Sequence, residues 1–197
     1  MILHAGRSLA IALDKATARL ATAGAVLAAV ILVLMTGHVI LEVFLRGAFS
    51  TSTFSLDEYV GYGTASMTFL AAGYALQEGA LIRVNILLAR LQPNSQARRI
   101  LEIFAGVMTL LVMGLLHWYF LISVMRNFNR GTVSETVAAT PLWIPEAMVT
   151  VGITILLLRL SAYLLLICFG GPVNAGNGED TETDEYHRDA LKMEHRR

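Results

Sequence analysis

The sequence predicts an all-α membrane protein with four transmembrane helices and both termini in the cytoplasm. Three observations predict it. Apolar residues make up 55% of the 197-residue chain, and its mean hydropathy is +0.60. Charged residues supply only 15%, well below the quarter or so that a soluble domain carries. Four segments are each long enough to cross a bilayer core about 30 Å thick, which takes roughly 20 mainly apolar residues in a helix.

The first span is expected over residues 20–44, with no formal charge before Glu42. Its apolar run is longer than the core of a cleaved signal peptide, so it reads as a retained span. The second is expected over 59–77 and opens behind Asp57 and Glu58. The third is expected over 103–125. The fourth is expected over 142–169, interrupted only by Arg159 and bracketed at its start by Pro141 and Pro145. Proline suits a first helical turn, where its missing N–H has no partner to lose. Residues 1–19 read as a cytoplasmic segment, either a short interfacial helix or an extension of the first span. Residues 170–197 read as a charged and largely disordered cytoplasmic tail, with Glu179, Asp180, Glu182, Asp184 and Glu185 in an acidic run.

Orientation follows from lysine and arginine near the span ends, which collect on the cytoplasmic side. Arg7, Lys15 and Arg19 precede the first span, and Arg83, Arg90, Arg98 and Arg99 lie between the second and third. The two opposite loops hold Arg46, Arg126 and Arg130. The bias of seven to three puts both termini and the middle loop in the cytoplasm.

Several function classes are excluded or weakened by the same reading. Formal net charge is zero, so no global field attracts nucleic acid. The single cysteine, Cys168, cannot form an internal disulfide or a cysteine-based metal site. No phosphate-binding glycine loop and no metal-ligand spacing occurs, so neither a catalytic residue nor a cofactor is expected.

Ionisable residues near or inside spans each need a reading, because burying one in lipid is costly. His38, Glu42 and Arg46 are four apart and share one helical face. They read as an interfacial Glu42–Arg46 pair with a histidine beneath, or as an ion relay. Asp57 and Glu58 suit the positive end of a helix dipole, or contact with a partner. Arg159 lies about 10 residues, roughly 15 Å, from the cytoplasmic end of its span. It either snorkels to the surface or faces a polar group on another helix or subunit. His38 and His117 are the pair on which a haem or quinone site would rest. Gly24 with Ala28, Gly61 with Ala65, and the run Ala71, Ala72, Gly73 and Ala75 allow helices to approach closely in lipid.

The stretch Gly79-Ala80-Leu81-Ile82-Arg83-Val84-Asn85 follows the second span. It resembles the small permease subunit of tripartite ATP-independent periplasmic (TRAP) transporters. Asp57 and Glu58 match that family's acidic start of the second span, Gly79 its glycine, and Ile82-Arg83-Val84 its core. Leu81 and Asn85 depart from the histidine and aspartate common there. Arg46 resembles the family's arginine after the first span, and Thr140-Pro141-Leu142-Trp143-Ile144-Pro145 with Gly152 resembles its fourth-span start.

The resemblance implies a bacterial inner-membrane subunit that is not an enzyme and binds no substrate or metal itself. It implies two protein partners, a large multi-span permease and a periplasmic substrate-binding protein, in sodium-coupled uptake of an organic acid. Arg46, Asp57, Glu58, Gly79, Arg83, Asn85 and Arg159 are the residues expected at subunit interfaces or in structural roles. A redox-complex membrane anchor and a small proton-coupled exporter using Glu42 are the alternatives.

Overall fold

The computed structural model describes residues 2–78 and 96–168, and everything in it is helix or connecting loop. Four helices follow one another: α1 (Ile2–Phe49), α2 (Leu56–Gln77), α3 (Gln96–Arg130) and α4 (Trp143–Cys168). Two are much longer than their apolar runs. α1 begins at Ile2 and runs unbroken to Phe49, so the residues before 20 extend the first helix, and α3 covers 96–130, beyond the expected span of 103–125. A helix satisfies its own backbone hydrogen bonds and does not have to stop where lipid gives way to water. Apolar runs therefore mark the stretch suited to lipid, and the helices outlast them.

Among the described residues three helices contain a stretch long and apolar enough to cross a membrane: Ile11–Phe49 in α1, Arg99–Arg130 in α3 and Trp143–Ile167 in α4. α2 is not among them, which departs from the sequence expectation of four equivalent spans. Its 22 residues give a rod of about 33 Å. The shortfall is in composition, because Asp57, Glu58, Thr64, Ser66, Thr68 and Gln77 lie along it.

That polarity matches its place. α2 packs against both α1 and α4, while α3 packs on the far flank of α4. α4 is the central helix: 39% of its apolar stretch is buried, against 6% for α3. Close approach is fixed by glycines from two sides of one α2 turn. A Cβ on Gly24 of α1 would stand 2.7 Å from the Leu70 carbonyl oxygen, and one on Gly152 of α4 would stand 2.6 Å from the Phe69 carbonyl carbon. Only glycine lets three backbones meet there. Leu70, Ser66 and Ile153 are almost fully buried around this crossing.

Pairings along the helices give their directions. Gly24 meets Leu70 while His38 meets Tyr59, so α1 and α2 are antiparallel. Gly152 meets Phe69 and Gly73 meets Ile155, so α2 and α4 run parallel. Ser123 meets Glu146 and Glu102 meets Tyr163, so α3 opposes α4. One end of the bundle thus carries Asp14, Gln77, Arg99 and Ile167. The other carries Glu42, Glu58, Asn127 and Glu146.

Candidate functional site

Polar chemistry gathers at the two ends of the bundle and along one cleft between them. At one end, Glu42 is 1% exposed. Arg46 Nε donates to Glu42 Oε1 at 2.8 Å, and the Ser52 hydroxyl donates to the same oxygen. Thr53 donates to Oε2 twice, from its backbone N–H at 2.9 Å and from its hydroxyl at 2.6 Å. The helical spacing explains the first bond, since residues four apart are neighbours. The others arise because the six-residue connection folds back over the end of α1. Ser50 and Phe54 take left-handed backbone conformations in that fold, with φ 50° and 55°. Such conformations strain residues that have a Cβ, and the carboxylate at Glu42 is what gathers the loop around itself.

The neighbouring loop is tied to the start of α2. Residues 131–142 close on themselves through Ser134 N–H donating to the Thr140 carbonyl at 2.9 Å and Leu142 N–H donating to the Thr132 carbonyl at 3.1 Å. The Thr136 hydroxyl donates to Glu58 Oε2, and Thr140 donates to the Tyr59 phenol at 3.4 Å. The Thr136 hydrogen bond is the main cause holding the Glu58 carboxyl below its ordinary range. Asp57 is exposed in the same first turn. Glu146 completes this end, accepting from Ser123 Oγ at 3.0 Å and from Asn127 Nδ2 at 2.9 Å.

At the opposite end Arg159 reaches α1. Its Nη1 pairs with the Asp14 carboxylate and also donates to the Asp14 carbonyl at 3.2 Å. The Arg159 side chain is 12% exposed, so of the two readings offered by the sequence, a polar partner on another helix is the one observed. Asp14 carried no signal in the sequence. It lies 145 residues away, in a stretch that reads as outside the apolar run. Beside this pair, Arg99 donates to the Ile167 carbonyl, and the Tyr163 phenol donates to Glu102 at 3.1 Å. These bonds stitch the start of α3 to the end of α4.

The cleft, about 460 Å³, lies between α1, α2 and the start of α4. Ile31, Leu34, Met35, Ile144 and Met148 make it mostly apolar, and His38, Tyr59 and Ser66 supply polar atoms. The His38 and Tyr59 rings meet edge to face, 6.0 Å between centroids. His38 Nε2 and Ser66 Oγ are buried there without a hydrogen-bond partner. His117 stands on α3, outside this cleft.

Of the residues singled out from the sequence, Arg46 and Glu58 enter networks at one end and Arg159 enters one at the other. Gly79, Arg83 and Asn85 lie outside the described residues. Ser52, Thr53, Thr136, Asn127 and Asp14 were missed, since short polar residues in loops carry no helical periodicity to mark them.

Neither the curated proteins nor the solved structures searched contain a match to this chain. The family model described as tripartite ATP-independent periplasmic transporters, DctQ component, matches residues 35–168. That stretch, well over half the chain, takes in the Glu42 network, all of α2 and α3, and α4 to its last residue. The chain belongs to the DctQ family, the small permease component of TRAP transporters.

Proposed function

We propose that this chain is the scaffolding subunit of a sodium-coupled importer of organic acids in the bacterial inner membrane. It spans the membrane four times, with both termini in the cytoplasm. It packs beside a large permease subunit that carries the substrate and ion sites. A periplasmic binding protein delivers the substrate at the Glu42 end. Membership of the DctQ family carries this reading.

The architecture supports a static role. The Asp14–Arg159 pair at one end and backbone-close crossings in the middle resist relative motion of α1, α2 and α4. Large apolar side chains remain exposed on α1 and α3, among them Val33, Ile40, Leu115 and Trp118. These faces suit lipid and a hydrophobic partner. The loops at the Glu42 end expose Phe54 and Val137, apolar tips fitted to a soluble partner.

Uptake into proteoliposomes tests the reading. The large permease, this chain and the binding protein together should accumulate an organic acid on a sodium gradient. Leaving out this chain should abolish uptake, and this chain alone should be inert. Transport by this chain alone, or unchanged transport without it, would contradict the proposal. Asp57→Lys with Glu58→Lys should weaken docking of the binding protein and slow uptake while the membrane subunits stay associated.

A further inference from the structure

We propose that the cleft between α1, α2 and α4 holds one acyl chain of a glycerophospholipid, with its ester carbonyl on His38 and its phosphate toward Arg46. The volume, about 460 Å³, lies within the range of small-molecule sites. Its walls are largely aliphatic. Its rim is formed by exposed apolar residues, including Leu34 at 67% and Met148 at 41% exposure. A mouth rimmed by leucine and methionine on a membrane helix bundle opens toward lipid.

The polar groups fix which part of a lipid goes where. His38 Nε2 is buried with no partner in a mostly aliphatic wall that also holds Tyr59, Tyr62, Ser66 and Thr140, an arrangement that costs free energy until a partner arrives. With its hydrogen on Nε2, the imidazole donates to a carbonyl oxygen. Tyr59 flanks it at the cleft mouth, and tyrosine is the residue type that sits at the lipid headgroup boundary. Arg46 lies two turns further along the same face of α1; its Nε pairs with Glu42 and its Nη2 reaches Ser52, while its side chain stays 61% exposed and keeps Nη1 for a further partner. Side chains on a helix lean toward its N-terminus, the direction in which the cleft lies from Arg46. Arginine is suited to bind a phosphate there. Below His38, Ile31, Leu34, Met35 and Met148 line the space an acyl chain would fill. Ser66 Oγ, the second unpartnered atom, marks the deep end, and its hydroxyl can turn to a backbone carbonyl of its own helix.

A partner helix is the competing occupant. The unpartnered His38 Nε2, beside an apolar mouth and below an arginine with one Nη still open, favours a molecule with one carbonyl between a phosphate and a hydrocarbon tail.

The test uses the assembled transporter. A photo-reactive residue is placed at Met148, on the rim, and the complex is irradiated in native membranes and analysed by mass spectrometry. A glycerophospholipid adduct on α4 supports the proposal. A protein adduct, or no adduct, overturns it. In parallel, native mass spectrometry compares the wild type with Met148→Trp, His38→Leu and Arg46→Gln. A retained phospholipid should be lost at least tenfold in Met148→Trp and reduced several-fold in the other two, with the complex intact by size exclusion. Equal retention in all four would also overturn it.

Discussion

The α1–α2–α4 group and the α3–α4 pair are held together by different physics. In the first, backbones touch: Gly24 and Gly152 press on one turn of α2 with no side chain between them, and the Asp14–Arg159 pair adds one side-chain tie from α1 to α4. In the second, side chains do the joining. Glu146 with Asn127 and Ser123 clamps one end, Glu102 with Tyr163 and Arg99 with the Ile167 carbonyl clamp the other. Between the clamps, Leu110, Met113 and Leu164 pack beside Leu156 and Leu160. The first group is therefore intolerant of added volume. The second tolerates volume and is sensitive to lost hydrogen bonds. The polar α2 is explained by the same contrast, since it sits between two helices while α3 keeps one side open.

Gly152→Leu should break the contrast hardest. Its Cβ would overlap Phe69 backbone, which cannot rotate away as a side chain can. A destabilisation of about 3 kcal/mol is expected, read as loss of the folded monodisperse chain after solubilisation. Gly114, with nothing near its Cβ position, is the control: Gly114→Leu should leave the fold intact.

Glu42→Leu ranks next. It removes the acceptor shared by Arg46, Ser52 and Thr53. The loop carrying Ser50 and Phe54 should then open, seen as faster proteolysis within residues 50–55 and a lower melting temperature. Unchanged cleavage would mean the loop is held by something other than that carboxylate.

The Asp14–Arg159 pair should show a coupling of about 1 kcal/mol in a double-mutant cycle with leucine at each position. Zero coupling would mean that water, not Asp14, satisfies Arg159. The smallest effect is expected on the α3 side. Asn127→Ala takes the Nδ2 donor from Glu146 but leaves Ser123 in place, for about 1 kcal/mol. Hydrogen exchange should rise in the last turns of α3 and not in α2. If both rise together, the two groups are one cooperative unit.

Much of this was legible in the sequence, for reasons that also show where legibility stops. Apolar runs located the four helices found among the described residues, and α2 and α4 were bounded within three residues because loops and prolines flank them. The same runs fall short of α1 and α3, whose helices continue into stretches where charged residues interrupt the apolar sequence. The spacing of Glu42 and Arg46 disclosed their pairing, since helical neighbours are four apart. Ser52 and Thr53 were hidden because loop geometry has no period. The link between Arg159 and Asp14 was hidden for a different reason: two helices far apart in sequence set it, and only packing reveals their register. His38 stood out as a polar residue in an apolar run, but the cleft beside it depends on three helices at once.

The central claim is that this chain works as one subunit of a larger membrane assembly. Tagged purification from native membranes in mild detergent, with mass spectrometry of the co-purifying proteins, tests it most directly. A large multi-span permease recovered in near-equal amount is the expected result. Recovery of the chain alone as a stable homodimer, or with a haem- or flavin-bearing partner, would contradict the account.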